Sequence, residues 1–191
     1  EKGMRLVFID IETTGLDHTR HEIVEIALIT EWLGELDRWH ARIRPRHSWT
    51  ADPRALEING YSEEAWADAL QLGEAVKEIA PRIPEGCMLV GYNPSFDWAF
   101  VRKVLNEAGE HRRRVYLIDV MTLVHEHCMP TGQPRLSLDA TREFLGMPLE
   151  GSNRAMQDAE DTRRLYHRLS RAGWLKRVWW RFIQLLRILR G

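Results

Sequence analysis

The run Phe8-Ile9-Asp10-Ile11-Glu12-Thr13-Thr14-Gly15 sets two acids inside an apolar segment that otherwise reads as a buried strand. Side chains alternate faces along a strand, so Asp10 and Glu12 project from one face, roughly 7 Å apart at the ordinary strand rise. Two like charges at the end of an apolar strand repel each other and lose hydration, which is costly unless positive charge compensates. A hard divalent ion such as Mg²⁺ or Mn²⁺, held through oxygen ligands, supplies that charge. The same residues also fit a solvated turn with both acids facing water, and the pair alone leaves both readings open.

A length of 191 residues suffices for one domain with a substantial core and leaves little room for a second. We expect that domain over residues 4–172, with a tail over 173–191. Hydrophobic residues at 44% and charged residues at 29% exclude wholesale disorder. The net charge of −1 hides an asymmetry, because the stretch from Trp174 to Gly191 carries Lys176, Arg177, Arg181, Arg187 and Arg190 and no acid. A small basic rim can coexist with an acidic metal site, so near-neutrality does not argue against a nucleic-acid partner. Cys87 and Cys128 are the only cysteines and have no paired metal-ligand spacing, which fits a reducing, cytoplasmic compartment. No apolar segment of signal-peptide form precedes the first strand, and no uncharged run approaches the roughly 20 residues of a membrane span.

Apolar alternation and β-branched content predict strands over Arg5 to Ile11, Ile23 to Thr30 and about Leu36 to Ile43, an antiparallel meander. Asp52-Pro53 reads as an N-cap followed by Pro at the first helical position. Ser62-Glu63-Glu64 signals a second short helix, and Leu72, Val76 and Ile79 recur at helical spacing within Ala69 to Ile79. Met88 to Tyr92 predicts a short buried strand, capped by Asn93-Pro94-Ser95 into a helix from Phe96 to about Ala108. A strand over Val115 to Ile118 ends at Asp119. Helices follow around Val120 to Glu126, Ser137 to Leu145 and Asn153 to Leu169. This order predicts an α/β fold, a mixed five-stranded sheet flanked by helices.

Asp97 stands near the start of a helix that follows a buried strand, where the helix dipole alone favours an acid. Asp158 lies in the charged helix Asn153-Arg154-Ala155-Met156-Gln157-Asp158, where a solvated face would be ordinary. Taken with Asp10 and Glu12 in that order, however, these acids form a recognisable pattern. The chain resembles the DEDD superfamily of 3′→5′ exonucleases, which includes the proofreading epsilon subunit of bacterial replicative polymerase and ribonuclease T. Asp10-Ile11-Glu12-Thr13-Thr14-Gly15 matches its first motif, Asn93-Pro94-Ser95-Phe96-Asp97 its second, and Asn153 to Asp158 its third. Ala55 to Gly60 and Leu117 to Val120 extend the likeness, which covers about residues 5 to 170.

The resemblance implies a ribonuclease H-like fold and a two-metal hydrolysis of phosphodiester bonds, releasing nucleoside 5′-monophosphates from a 3′ end of single-stranded DNA or RNA. It implies that Asp10, Glu12 and Asp158 bind one Mg²⁺ or Mn²⁺, that Asp10 bridges to a second, and that Asp97 holds the site, partly through water. It places Thr13 and Leu16 against the terminal nucleotide and Asn59 within reach of the substrate. Leu16 equally suits an ordinary turn, and Asn59-Gly60 a plain turn.

One branch of the superfamily, DEDDh, carries a histidine five residues before the last aspartate as general base. Here that position is Asn153, and the other branch's tyrosine position holds Arg154. An amide cannot take the proton that an imidazole accepts near neutral pH. An introduced inactivating substitution, a slow natural enzyme relying on its metals, and a protein that keeps binding without catalysis are the three accounts of this residue. His125, His127 and His167 read as ordinary surface or core histidines.

Residues 174–190 are amphipathic at helical spacing, with Lys176, Arg177, Arg181, Gln184 and Arg187 on one side. Such a segment can fold back on its own domain, dock on a polymerase or other protein partner, lie at a membrane surface, or add to a phosphate-binding face. The sequence therefore predicts a metal-dependent 3′→5′ exonuclease weakened at Asn153. The alternative is a catalytically impaired module that binds nucleic-acid ends or assists a polymerase.

Overall fold

The first strand, β1 (Leu6–Thr13), buries alternate residues on opposite faces of a sheet. Val7, Ile9 and Ile11 enter one hydrophobic cluster and Phe8 the other. Asp10 and Glu12 continue the Phe8 row by the period of two. In this computed structural model, residues 4–110, 114–133, 135–147 and 154–170 are described; Asn153 and the tail lie outside them.

β2 (Ile23–Trp32) runs antiparallel to β1, and β3 (Glu35–Arg42) runs antiparallel to β2. Leu33 and Gly34 close the β2–β3 hairpin with positive φ values of 52° and 86°, the backbone that two-residue hairpin turns require. β4 (Met88–Gly91) and β5 (Tyr116–Asp119) add in parallel, giving the order β3-β2-β1-β4-β5. The predicted mixed sheet with its leading meander is therefore observed. Backbone pairing carries β1 through Thr13 and β2 through Trp32, two residues beyond the sequence pattern, whereas β3 stops at Arg42 and β4 at Gly91, each one residue short of it.

Helix α1 (Pro53–Asn59) starts at Asp52, whose carboxylate accepts from the Arg54 N–H, and ends at Gly60 in the left-handed region. The helix expected from Ser62 does not form; residues 63–68 are turns. Trp66 explains the interruption, because its ring is buried and its indole N–H donates to the Val24 carbonyl at 2.8 Å. Anchoring that side chain to β2 holds the chain off a regular helical path. Leu70 then bridges to Ile43, so α2 (Leu72–Arg82) begins three residues later than the apolar spacing suggested, with Gln71 and Glu74 forming a capping box.

α3 (Pro94–Glu107) follows β4 through Asn93, whose φ of 68° turns the chain sharply into the helix. The Asn93 side chain does not cap α3. Instead its backbone N–H donates to Asp119, which also caps α4 (Val120–His127) through the Met121 N–H. α5 (Leu138–Leu145) is capped by Ser137, and a final helix, α6, spans 154–170.

α2 and α3 pack with Val7, Ile9, Ile26 and Leu89 on one face of the sheet. α4 and α6 cover Phe8, Ile29 and Val90 on the other, with Ala155, Ala159 and Leu165 buried. The acids of β1 thus open beneath α6. No helix among the described residues is long and apolar enough to cross a membrane.

Candidate active site

Asp10 and Glu12 reach the end of β1 on the face that α6 covers, and Asp158 comes from α6 itself. One carboxylate oxygen from each of Asp10, Glu12 and Asp158 lies within 4.8 Å of the other two. A register shift between Glu12 and Thr13 breaks the ladder with β2 at this point, an irregularity of the kind that redirects side chains at sheet ends. Asp97, on the first turn of α3, is only 5% exposed and joins the group electrostatically. The four acids predicted from distant parts of the sequence are brought together.

Burial first, and then the charges of Asp97, Asp158 and Glu12, push the Asp10 carboxyl well above the ordinary range, against the pull of Arg142. Burial likewise pushes Glu12 up to about 7, with Arg154 opposing and Asp158 and Glu25 adding to the rise. Asp97 is pushed up to about 8 by burial, although the Ile11 backbone N–H stabilises its charged form. Asp158 is raised by burial and held back by Arg142. Clustered acids whose charged forms burial disfavours, and that offer only oxygen donors, suit a hard divalent cation.

Two arginines already contact the acids. Arg142, 5% exposed, donates to Asp158, to Asp161 Oδ2 at 2.7 Å and to Asp139 Oδ1 at 2.9 Å. Arg154 lies on the open side, with Nε 3.2 Å from Glu12 Oε1 and Nη1 donating to the Ile58 carbonyl at 3.0 Å.

Thr13 is buried and its hydroxyl donates to the Gly15 carbonyl at 2.8 Å, so that group is used within the loop. Asn59 donates to the Thr13 carbonyl at 3.0 Å and accepts from the Tyr61 N–H, tying α1 to the end of β1. Leu16 projects outward, 82% exposed. A Cβ at Gly15 would lie 2.6 Å from the His21 ring, so any side chain there would have to displace His21. His167 lies with Nε2 2.8 Å from Glu31 Oε2, paired on the outer part of α6.

Sequence reading missed Glu25 and Arg142. Glu25 sits opposite Glu12 across the β1–β2 ladder and is 3% exposed. Its Oε1 lies 2.9 Å from His40 Nε2 and accepts from the Ala155 N–H at 3.2 Å, so it anchors the first turn of α6. An acid inside the apolar run Ile23-Val24-Glu25-Ile26 was the available signal. Arg142 carried none stronger than the i, i+3 spacing of Asp158 and Asp161, two acids on one helix face that need a shared cation.

Comparison with known proteins places the chain in a family. The chain matches the RNase_T family model, described as an exonuclease, over residues 7–166, and it belongs to that exonuclease family. This family is divalent-metal dependent, and the acid group is the candidate place for the metal. The PolC-type DNA polymerase III of Thermotoga petrophila is 30% identical over 164 residues, which are 85% of this chain and 12% of the polymerase. Ribonuclease T of Klebsiella pneumoniae is 25% identical over 182 residues, covering 86% of this chain and 84% of that protein. E. coli exonuclease I, solved in complex with a dT13 oligonucleotide, superposes with a TM-score of 0.72 at 18% identity over 96% of this chain and 43% of that one. The fold is accordingly the ribonuclease H-like one of these exonucleases.

Proposed function

We propose that the chain is a divalent-metal-dependent 3′→5′ exonuclease that releases nucleoside 5′-monophosphates from single-stranded nucleic-acid ends. The observation that carries this reading is the convergence of Asp10, Glu12 and Asp158 within 4.8 Å, beside buried Asp97, in a chain of the exonuclease family. Asp10, Glu12 and Asp158 would hold one divalent cation, and Asp10 with Asp97 a second. When bound, such cations neutralise the acids and lower the barrier to attack of water at phosphorus.

The protein's own groups prepare that site. Arg142 fixes Asp158, Glu25 anchors the turn of α6 that leads to it, and Asn59 holds the loop after β1. Leu16, which projects from that loop, would press on a terminal base. Asn153 would stand where a general base is needed; its amide can orient water and cannot accept the proton. General-base assistance is typically worth about 10²–10⁴-fold, so the site without it works slowly.

Asn153 and the PolC relative favour a second reading, an end-binding or polymerase-accessory module without turnover, with residues 174–190 as its partner segment. Digestion of a labelled single strand with Mg²⁺ or Mn²⁺ separates the two. The exonuclease releases mononucleotides, and Asn153→His raises its rate at least about tenfold at neutral pH. Absence of metal-dependent release from both proteins favours the binding module, and an unchanged rate in an active protein removes Asn153 from the base position.

A further inference from the structure

Arg154 occupies the first turn of α6, four residues before Asp158. Its side chain is 48% exposed, and through Nε it meets Glu12, whose side chain is 16% exposed. Nη1 is held by the Ile58 carbonyl, at the C-terminal end of α1. Because the next residue, Asn59, donates to the Thr13 carbonyl, that end of α1 is fixed against the end of β1. The guanidinium is therefore suspended over the open side of an anionic cluster by one charged contact and one neutral one. Among the described residues, the other arginine paired with a member of the cluster is Arg142, which is itself buried and held by three carboxylates.

We propose that Arg154 is a phosphate-binding residue that exchanges partners: it pairs with Glu12 while the acids lack a cation, and turns to the phosphate of the terminal nucleotide once Glu12 is engaged. This assignment rests on the metal-dependent nuclease reading above. Its physical basis is charge and geometry. A phosphate brought to four carboxylates is repelled unless cations intervene, and its oxygens on the solvent side need donors. The planar fork of a guanidinium matches phosphate oxygens in pairs. The arginine end of the Arg154–Glu12 pair is half exposed, so water can replace the carboxylate around the guanidinium and exchanging this contact costs little. With a cation at the carboxylates, the charge that draws Arg154 toward Glu12 is neutralised. The Ile58 carbonyl then keeps the guanidinium close to the site while its remaining N–H groups face outward.

Two equilibrium measurements test this without turnover: Mn²⁺ titration followed by electron paramagnetic resonance, and calorimetric binding of thymidine 5′-monophosphate in saturating Mn²⁺. Wild type, Arg154→Ala, Arg154→Lys and Asp10→Asn are compared. Removing a cation that competes for Glu12 should make Arg154→Ala bind Mn²⁺ about two- to fivefold more tightly. The same variant should bind the nucleotide about tenfold more weakly, because a charge-assisted contact is lost. Arg154→Lys should recover part of the nucleotide affinity, since it restores the charge without the fork. Unchanged nucleotide affinity in Arg154→Ala, or weakened Mn²⁺ binding, overturns the proposal while leaving the metal site standing. Equal Mn²⁺ binding by wild type and Asp10→Asn instead removes the metal site, and the proposal with it.

Discussion

Arg142 and Arg154 bring the same charge to the same carboxylate group from opposite sides, and the two flanks differ in everything else. On the inner flank the guanidinium is 5% exposed and saturated by Asp139, Asp158 and Asp161, the last with no exposed surface. On the outer flank the Arg154 side chain is 48% exposed and shares one carboxylate contact with Glu12. A buried ion pair cannot be half removed without stranding its partner, whereas an exposed one contributes little. The inner flank therefore sets the shape of the site, and the outer flank is where the site can respond.

The sharpest way to break this contrast is Arg142→Met. Losing the guanidinium leaves Asp161, which has no exposed surface, with only Gln157 and the longer contact to Arg164, and removes the ion-pair partner of Asp158; we expect a loss of about 3–5 kcal/mol in urea unfolding. The double variant Arg142→Met/Asp161→Leu should recover much of it, because the stranded charge is removed along with its partner. A loss below about 1 kcal/mol for the single variant would show that the inner flank is as soft as the outer one.

A smaller effect comes from pH. Glu12 at about 7 and Asp97 at about 8 lie above the ordinary carboxylate range, so the folded protein binds protons that the unfolded chain has released. Stability in chelator should therefore fall as pH rises from the ordinary carboxylate range to about 8, and be fully present only below that window. Between about pH 5.5 and about pH 8 we expect a Tm decrease of about 3–6 °C, reversed by excess Mn²⁺. A Tm that is flat in chelator would mean that the acids are already compensated by their arginines.

The smallest effect is expected at the outer flank. Arg154→Ala should move unfolding by no more than about 0.5–1 kcal/mol, within the range of exposed ion pairs. A larger loss would place Arg154 among the structural supports of the site.

The contrast also explains what could be read from the chain in advance. Asp10 and Glu12 were legible because a period of two leaves them no choice of face once Phe8 is buried. The second strand was legible in its β-branched run Ile23 to Thr30, and α3, α4 and α5 because each has a cap or a stop beside its apolar face. What escaped was decided by long-range contacts. Trp66 cancels a helix signal by reaching Val24, forty-two residues away, and Arg142 looks like any charged helical residue until α6 brings Asp161 against it. Glu25 was hidden by the strand that carries it, although its position in an apolar run repeats the logic that made Asp10 conspicuous.

Helix α6 performs two tasks: Ala155, Ala159 and Leu165 seal one face of the sheet, and Asp158 between them completes the carboxylate group. Assembly of the carboxylate group and closure of that hydrophobic layer thus both depend on α6. During synthesis, a ribosome-bound chain that has released only β1 to β5 carries Asp10, Glu12 and Asp97 but not Asp158, and the acid group closes only when α6 packs on the sheet.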